Sequence, residues 1–315
     1  MYTQEELSAM IQKGIDTIEY PSLAPKLYDP VIYTLETGGK RLRPMLVLMA
    51  ANLYTEELEQ AIDPALGLEM YHNFTLLHDD VMDKAPDRRG RATVHVKWND
   101  SVAILSGDAM QALAYQLIGK TPDHAFRPVM DLFTTTNIEI GEGQQLDMEF
   151  ETRNDVTIPE YIEMIRLKTS VLVGCALKMG ALIAGAPAEE AQVLYDFGTN
   201  IGLAFQLQDD WLDCWGDPKT FGKRIGGDIL CNKKTFLRIT AEKNAPMPQT
   251  DGMSEEEKIE TVKAYYIQSG AEKACKEAIA HYHQLGMEAL KKLPFDDEKL
   301  IHLKAFAAKL ENRKI

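Results

Sequence analysis

Two short stretches carry residues that could do chemistry together. Residues 79–83 read DDVMD and residues 209–213 read DDWLD. On a helix, positions i, i+1 and i+4 lie within about 100° of one another. Each stretch therefore sets three carboxylates on one side of a helix end: Asp79, Asp80 and Asp83 in the first, Asp209, Asp210 and Asp213 in the second. Like charges this close raise one another's pKa values unless a cation neutralises them. Hard carboxylate oxygens, few per ion and with room for water and ligand oxygens, suit Mg²⁺ rather than zinc. Mg²⁺ is usually held by one or two carboxylates together with substrate phosphates. One such motif is as readily a solvated helix end. Two in one chain, each led by an apolar run, point to a shared phosphate ligand clamped by metal ions between two helices.

Basic residues stand beside them. GGKRLRP at 38–44 offers Lys40, Arg41 and Arg43 after a glycine pair. DRRGR at 87–91 offers Arg88, Arg89 and Arg91 just past the first acidic motif, and FGKRIGGD at 221–228 offers Lys223 and Arg224 just past the second. Arginine forks match phosphate oxygens two at a time, and lysine adds a point charge. The chain as a whole is acidic, at −14 from 34 basic and 48 acidic side chains. A general nucleic-acid surface is thereby excluded, since it needs a basic face. A polyanionic ligand remains possible where basic residues cluster or metal ions intervene.

The elements that must position these groups are helices. Asp63 and Pro64 read as a cap and first-turn proline before ALGLEMYHNFTLLHDDVMD. Thr157 and Glu160 read as a capping box around Pro159, opening one helix through EYIEMIRLKTSVLVGCALKMGALIA. Pro187 starts another, which ends at the second acidic motif. Several segments are apolar nearly all round, as helices at the centre of a large bundle are. No alternating strand pattern of useful length and no βαβ rhythm is present. Loops are expected at 84–93, 216–228 and 243–254, and none is long enough to divide the chain. The expectation is a single all-α domain over 1–315. Its 45% hydrophobic and 26% charged content is ordinary for a folded soluble protein. Four cysteines lie far apart without a CxxC pair, which fits reduced thiols in the cytoplasm. The acidic, amphipathic start MYTQEELSAMIQKG does not fit a signal peptide, and the apolar stretch at 171–186 is short and carries Lys178, so it reads as a buried helix rather than a membrane span.

GGKRLRP, LLHDDVMD, the RRG that follows, GQQLD at 143–147, KTS at 168–170, FQLQDDWLD and GKRIGGD stand in the order seen in trans-prenyltransferases. Over at least residues 38–235 the chain resembles these polyprenyl synthetases. The resemblance implies an isoprenoid synthase-type bundle of antiparallel helices around a central cavity, usually as a homodimer. It implies that an allylic diphosphate binds three Mg²⁺ between the two aspartate motifs, and that isopentenyl diphosphate binds nearby through basic residues. Carried over by position, Asp79 and Asp83 resemble ligands of two metals and Asp209 a ligand of the third. Asp80, Asp210 and Asp213 resemble supporting carboxylates that bind metal waters. Lys40, Arg43, His72 and Arg89 match the isopentenyl diphosphate positions. Arg88, Lys168, Thr169, Gln206 and Lys223 match the allylic site. GKRIGGD has one residue more between glycine and aspartate than some members, so Lys223 and Arg224 compete for one role. Gln144 and Asp147 match a polar pair lining the cavity, and Lys233 is a further candidate for phosphate. Terpene cyclases and head-to-head synthases also use acidic motifs, but they lack GGKRLRP. A non-catalytic subunit of the family would be expected to have lost aspartates, and both motifs are intact here.

The apolar lead-in NFTLL at 73–77 would line a tunnel for the growing hydrocarbon. In the family the residues four and five before the first motif set its floor, here Thr75 and Phe74. One aromatic, a small neighbour and no insertion in DDVMD look most like geranylgeranyl (C20) synthases; farnesyl (C15) synthases more often show two aromatics there. An ideal helix places Thr75 and Leu76 nearer the aspartate face than Phe74. Phe74 as tunnel floor and Phe74 as plain core packing both remain open.

Overall fold

The computed structural model of the chain describes residues 1–217 and 225–311. In chain order the helices are α1 (Gln4–Asp16), α2 (Pro25–Glu36), α3 (Leu42–Ala51), α4 (Glu59–Met82), α5 (Val94–Lys97), α6 (Asp100–Ile118), α7 (Asp123–Phe150), α8 (Ile158–Ile165), α9 (Val171–Ile183), α10 (Ala188–Trp215), α11 (Gly227–Leu230), α12 (Phe236–Asn244), α13 (Glu255–Gln268), α14 (Ala271–Leu290) and α15 (Ile301–Glu311). The all-α expectation holds. Among the described residues the one sheet is a two-rung ladder, β1 (Asp87–Arg88) with β2 (Arg91–Ala92). No helix among them is long and apolar enough to cross a membrane.

The chain gathers into two compact units. One holds Met1–Phe133 and Ala176–Gln192, the other Thr134–Cys175 and Val193–Ile315. In the first unit α3 is buried almost throughout, from Pro44 and Leu46 to Ala51. Its sequence LRPMLVLMAA has no polar stripe to turn outward, so the centre of a core is where it is stable. α4 packs beside it and presents Leu66, Leu68, Met70 and Tyr71 to the same core. In the second unit Tyr161, Leu207, Trp211, Phe236, Tyr266 and Cys275 belong to one buried cluster under α8, α10 and α12–α14.

Local signals set several helix starts. Thr3 with Glu6, Thr157 with Glu160, and Ser254 with Glu257 each close a capping box. Each satisfies two backbone N–H groups that the first turn leaves without partners. Three expectations change. α4 begins at Glu59, with Pro64 inside it. The Asp63-Pro64 pair imitates a helix start, but Leu58 and Ala61 are buried upstream, and their burial favours the extra turn. The long helix from Ile158 is interrupted: Arg166–Ser170 forms a π turn between α8 and α9. The loop at 84–93 closes as a hairpin in which Asp87 pairs with Ala92 and Arg88 with Arg91. Its two turn residues, Arg89 (φ 54°) and Gly90 (φ 73°), are both left-handed, as a type I′ turn demands.

Candidate active site

The first unit gathers positive charge. Arg41 caps α3 in a left-handed conformation, φ 46°. Its Nη1 donates to Glu69 Oε1 at 2.7 Å, and its Nη2 donates to the Leu35 carbonyl. Both side chains of this ion pair are largely buried, at 13% and 4% exposed. Losing one partner of such a pair would cost about 3–5 kcal/mol. From the hairpin turn, Arg89 donates to the Gly38 carbonyl. Gly39 carries the chain past that guanidinium, where a Cβ would stand 2.6 Å from Arg89 Nη1. Three of the four left-handed non-glycine residues among those described, Arg41, Lys84 and Arg89, flank this basic region. Backbone strain of this kind persists where the surroundings over-determine it and is frequent at functional sites.

Arg43 lies in the same cluster, and its enclosed Nε–H has no hydrogen-bond partner. Burial, opposed by Glu69 and reinforced by Arg89, lowers its proton affinity. His72, on α4, lies within electrostatic reach of the arginines. Burial first, then Arg43, Arg89, Arg88 and Arg41, push its pKa well below the usual histidine value, so the ring is neutral. Four arginines thus stand within electrostatic reach of one glutamate, one aspartate and one histidine. Lys40 is exposed beside them.

Of the first acidic triple, Asp79 is half-buried, Asp80 buried and Asp83 exposed. Arg88 grips Asp80 with both ends of its fork, Nε at 2.8 Å and Nη2 at 2.7 Å from Oδ1. Burial raises the pKa of Asp80 in spite of that contact. Arg88 and Asp80, expected at an allylic ligand and a metal water, are bonded to each other here.

The second unit arranges the remaining polar residues around the π turn. Lys168 Nζ lies 2.6 Å from Asp147 Oδ2, and Lys233 Nζ lies 3.9 Å from the same oxygen. Burial opposes the Asp147 charge, but Lys233 and Lys168 outweigh it and hold the carboxyl below its usual range. Asp147 therefore anchors two ammonium groups from two different elements. Thr169 Oγ1 donates to Gln206 Oε1 at 3.3 Å, and Gln206 Nε2 stands 3.5 Å from Asp210 Oδ1. Tyr161 Oη donates to Asp210 Oδ2. Burial and the neighbouring Asp228 push the Asp210 pKa up. Asp213 Oδ2 accepts the Asp228 backbone N–H at 3.1 Å. Asp209 is half-buried on the same helix end. Gln144 is half-buried one turn before Asp147 on α7. Lys223 and Arg224 lie outside the described residues.

The π turn is held from two sides by glycines. A Cβ at Gly143 of α7 would stand 2.3 Å from the Lys168 backbone nitrogen, and one at Gly202 of α10 would stand 2.8 Å from Ser170 Cα. A π turn widens the helix by one residue and is often found at functional sites. Here it is the segment that bears Lys168 and Thr169. Gly202→Ala is expected to displace it, lowering kcat about tenfold or more while the helix content by circular dichroism stays unchanged. Unchanged kcat would mean that the turn tolerates the extra methyl.

Tyr161, Glu69 and Asp228 were not legible as site residues. Glu69 and Tyr161 meet partners 28 and 49 residues away, and Asp228, although it closes the GKRIGGD stretch, meets Asp213 through its backbone N–H, which no side-chain pattern reports. The one available signal was Tyr161's place seven residues before Lys168 on the same helical run.

Among the described residues, no group of three or more His, Cys, Asp or Glu gathers as a ready-made metal cage. Mg²⁺ does not need one, since it takes a carboxylate or two and fills its octahedron with water and phosphate oxygens. Half-buried or exposed carboxylates at Asp79, Asp83 and Asp209 fit that habit.

A family model described as polyprenyl synthetase matches residues 24–278. A geranylgeranyl diphosphate synthase of Methanosarcina mazei is 41% identical over 74% of this chain and 73% of its own length. A geranylfarnesyl diphosphate synthase of Aeropyrum pernix is 34% identical over 89% and 92%. A crystal structure of a geranylgeranyl pyrophosphate synthase superposes with a TM-score of 0.94 at 45% identity, covering 100% of both chains. An all-helical chain with paired acidic helix ends and this likeness is a prenyltransferase. It belongs to the polyprenyl synthetase family.

Proposed function

We propose that the chain condenses isopentenyl diphosphate head-to-tail with allylic diphosphates, giving an all-trans geranylgeranyl diphosphate. The observation that carries it is the buried Arg43 Nε–H without a partner, among three further arginines. A buried N–H left so is costly, and a diphosphate would supply the acceptor. Arg43, Arg89, Lys40 and neutral His72 hold isopentenyl diphosphate in this reading. His72 offers a hydrogen bond without adding like charge to the arginines. The family model runs through both compact units, which supports reading 1–315 as one catalytic domain.

The six aspartates serve Mg²⁺, with Asp79, Asp83 and Asp209 as direct ligands and three ions expected. When bound, Mg²⁺ neutralises the diphosphate as it departs. The C–O bond of the primer breaks and leaves an allylic cation. The isopentenyl double bond attacks it, a C–C bond forms, and a proton passes to the released diphosphate. No protein nucleophile is required. Thr169 and Gln206 turn oxygen dipoles toward the cation, while Lys168 and Lys233, steadied by Asp147, take the primer's diphosphate. Lys223 or Arg224 joins them.

Half-exposed Val96, Ile104 and Leu105, at 54%, 47% and 59%, form apolar surface on and near α6 and support a homodimer. A cytoplasmic location fits the free cysteines. The product is tested by chromatography after incubation with Mg²⁺, isopentenyl diphosphate and dimethylallyl, geranyl or farnesyl primers. C20 from every primer is expected. Product ending at C15 would make this a farnesyl synthase, and no Mg²⁺-dependent product at all would overturn the assignment.

A further inference from the structure

The middle aspartate of each acidic motif is engaged by a protein donor. Arg88 takes both oxygens of Asp80. Tyr161 Oη donates to Asp210 Oδ2, on the far side of which Gln206 Nε2 stands 3.5 Å from Oδ1. The two donors differ in type and in unit, yet they meet the same motif position. We propose that Tyr161 is a positioning residue of the second acidic motif: by tying down Asp210 it fixes the helix turn that aims Asp209 and Asp213 at a Mg²⁺-bound diphosphate. The proposal rests on the metal role given to that motif above.

Tyr161 is suited to hold something still. Its side chain is 2% exposed. It stands in the first turns of α8, whose start is pinned by the Thr157–Glu160 capping box. Arg153 Nη2 reinforces that start from 2.9 Å at Glu160. The ring meets Phe236 edge-on at 6.5 Å and shares one buried cluster with Trp211 and Leu212, which directly follow Asp210 in the helix. Asp210 is itself only 5% exposed. A buried carboxylate that loses its donor is left with an unsatisfied acceptor, a cost relieved if the helix turn that also carries Asp209 and Asp213 shifts toward another donor or water. The hydroxyl would thus act on metal binding without touching metal or substrate.

The test is calorimetric titration of the full chain with inorganic diphosphate in saturating Mg²⁺. Tyr161→Phe keeps the ring and removes the oxygen. It is expected to weaken Mg²⁺–diphosphate binding about tenfold, the usual order for a lost hydrogen bond to a charged group. The KM for the allylic primer should rise with it, while the KM for isopentenyl diphosphate stays. Phe236→Leu loosens the same core without removing the hydroxyl, and is expected to lower Tm while leaving the titration unchanged. If Tyr161→Phe lowers Tm only, or if Phe236→Leu weakens binding equally, Tyr161 is core packing and the proposal falls. Asp209→Ala separates the two readings. If it too leaves the titration unchanged, the metal role of the motif fails and the proposal with it. If it abolishes binding and Tyr161→Phe does not weaken it, the proposal alone is overturned.

Discussion

Turnover should fall by about a hundredfold or more when Asp79 or Asp209 is replaced by alanine, the order seen when one preorganised electrostatic group is removed from a developing charge. The fold should survive. Both residues sit at helix ends rather than in a core, and both are half-buried. The contrast with their neighbours sharpens the expectation. Asp80→Ala strands Arg88, and Asp210→Ala strands Tyr161, so these variants should lose stability as well as rate. Steady-state kinetics paired with thermal melting distinguishes the two classes. Asp79→Ala or Asp209→Ala with near-normal turnover would remove that residue from the metal site.

Phe74→Ala is expected to lengthen the product by at least one five-carbon unit. Phe74 belongs to a row of rings in the first unit. His78 lies 4.8 Å from it on one side and Tyr71 5.4 Å on the other. Tyr71 leans on Phe133 at 5.1 Å, and Phe133 on Tyr115 at 4.9 Å. Next to Phe74 in the chain, the Thr75 hydroxyl donates back to the His72 carbonyl at 2.8 Å. Each further five-carbon unit gains up to about 4 kcal/mol by burial, at about 0.8 kcal/mol per carbon, so removing a ring that blocks the path should shift the distribution strongly. The stability cost should stay at or below the low end of the usual 3–5 kcal/mol for a buried Phe→Ala change, because Phe74 is only half-buried. Product chromatography decides. An unchanged C20 product, with lower Tm, would make Phe74 a core residue only.

What was legible in the sequence had its signal within a few residues. The aspartate triples, the RRG turn and the capping box at Thr157 each announce themselves over five residues or so. The all-helical fold followed from apolar runs that could not be strands. What was illegible depends on partners far along the chain. Arg41 meets Glu69 across 28 residues, and Tyr161 meets Asp210 across 49. Nothing near either residue reports the partner. Pro64 failed differently: a genuine start signal was overruled by upstream burial. The π turn failed because RLKTS contains no glycine, no proline and no break in apolar rhythm that would separate it from ordinary helix. The space it occupies is left open by Gly143 and Gly202, on other helices.

That same five-residue turn has a consequence for reading and rebuilding this chain. One surplus residue in a helix is a rotation of about 100° for everything beyond it. The stripe of α9 is therefore out of phase with that of α8, although the two run on without a gap. Deleting a single residue between 166 and 170 would leave composition and helix content almost untouched, yet it would turn every later side chain of α9 to a new compass bearing. Insertions and deletions in this segment should be far less tolerated than substitutions, and any transplanted version of it must keep its count.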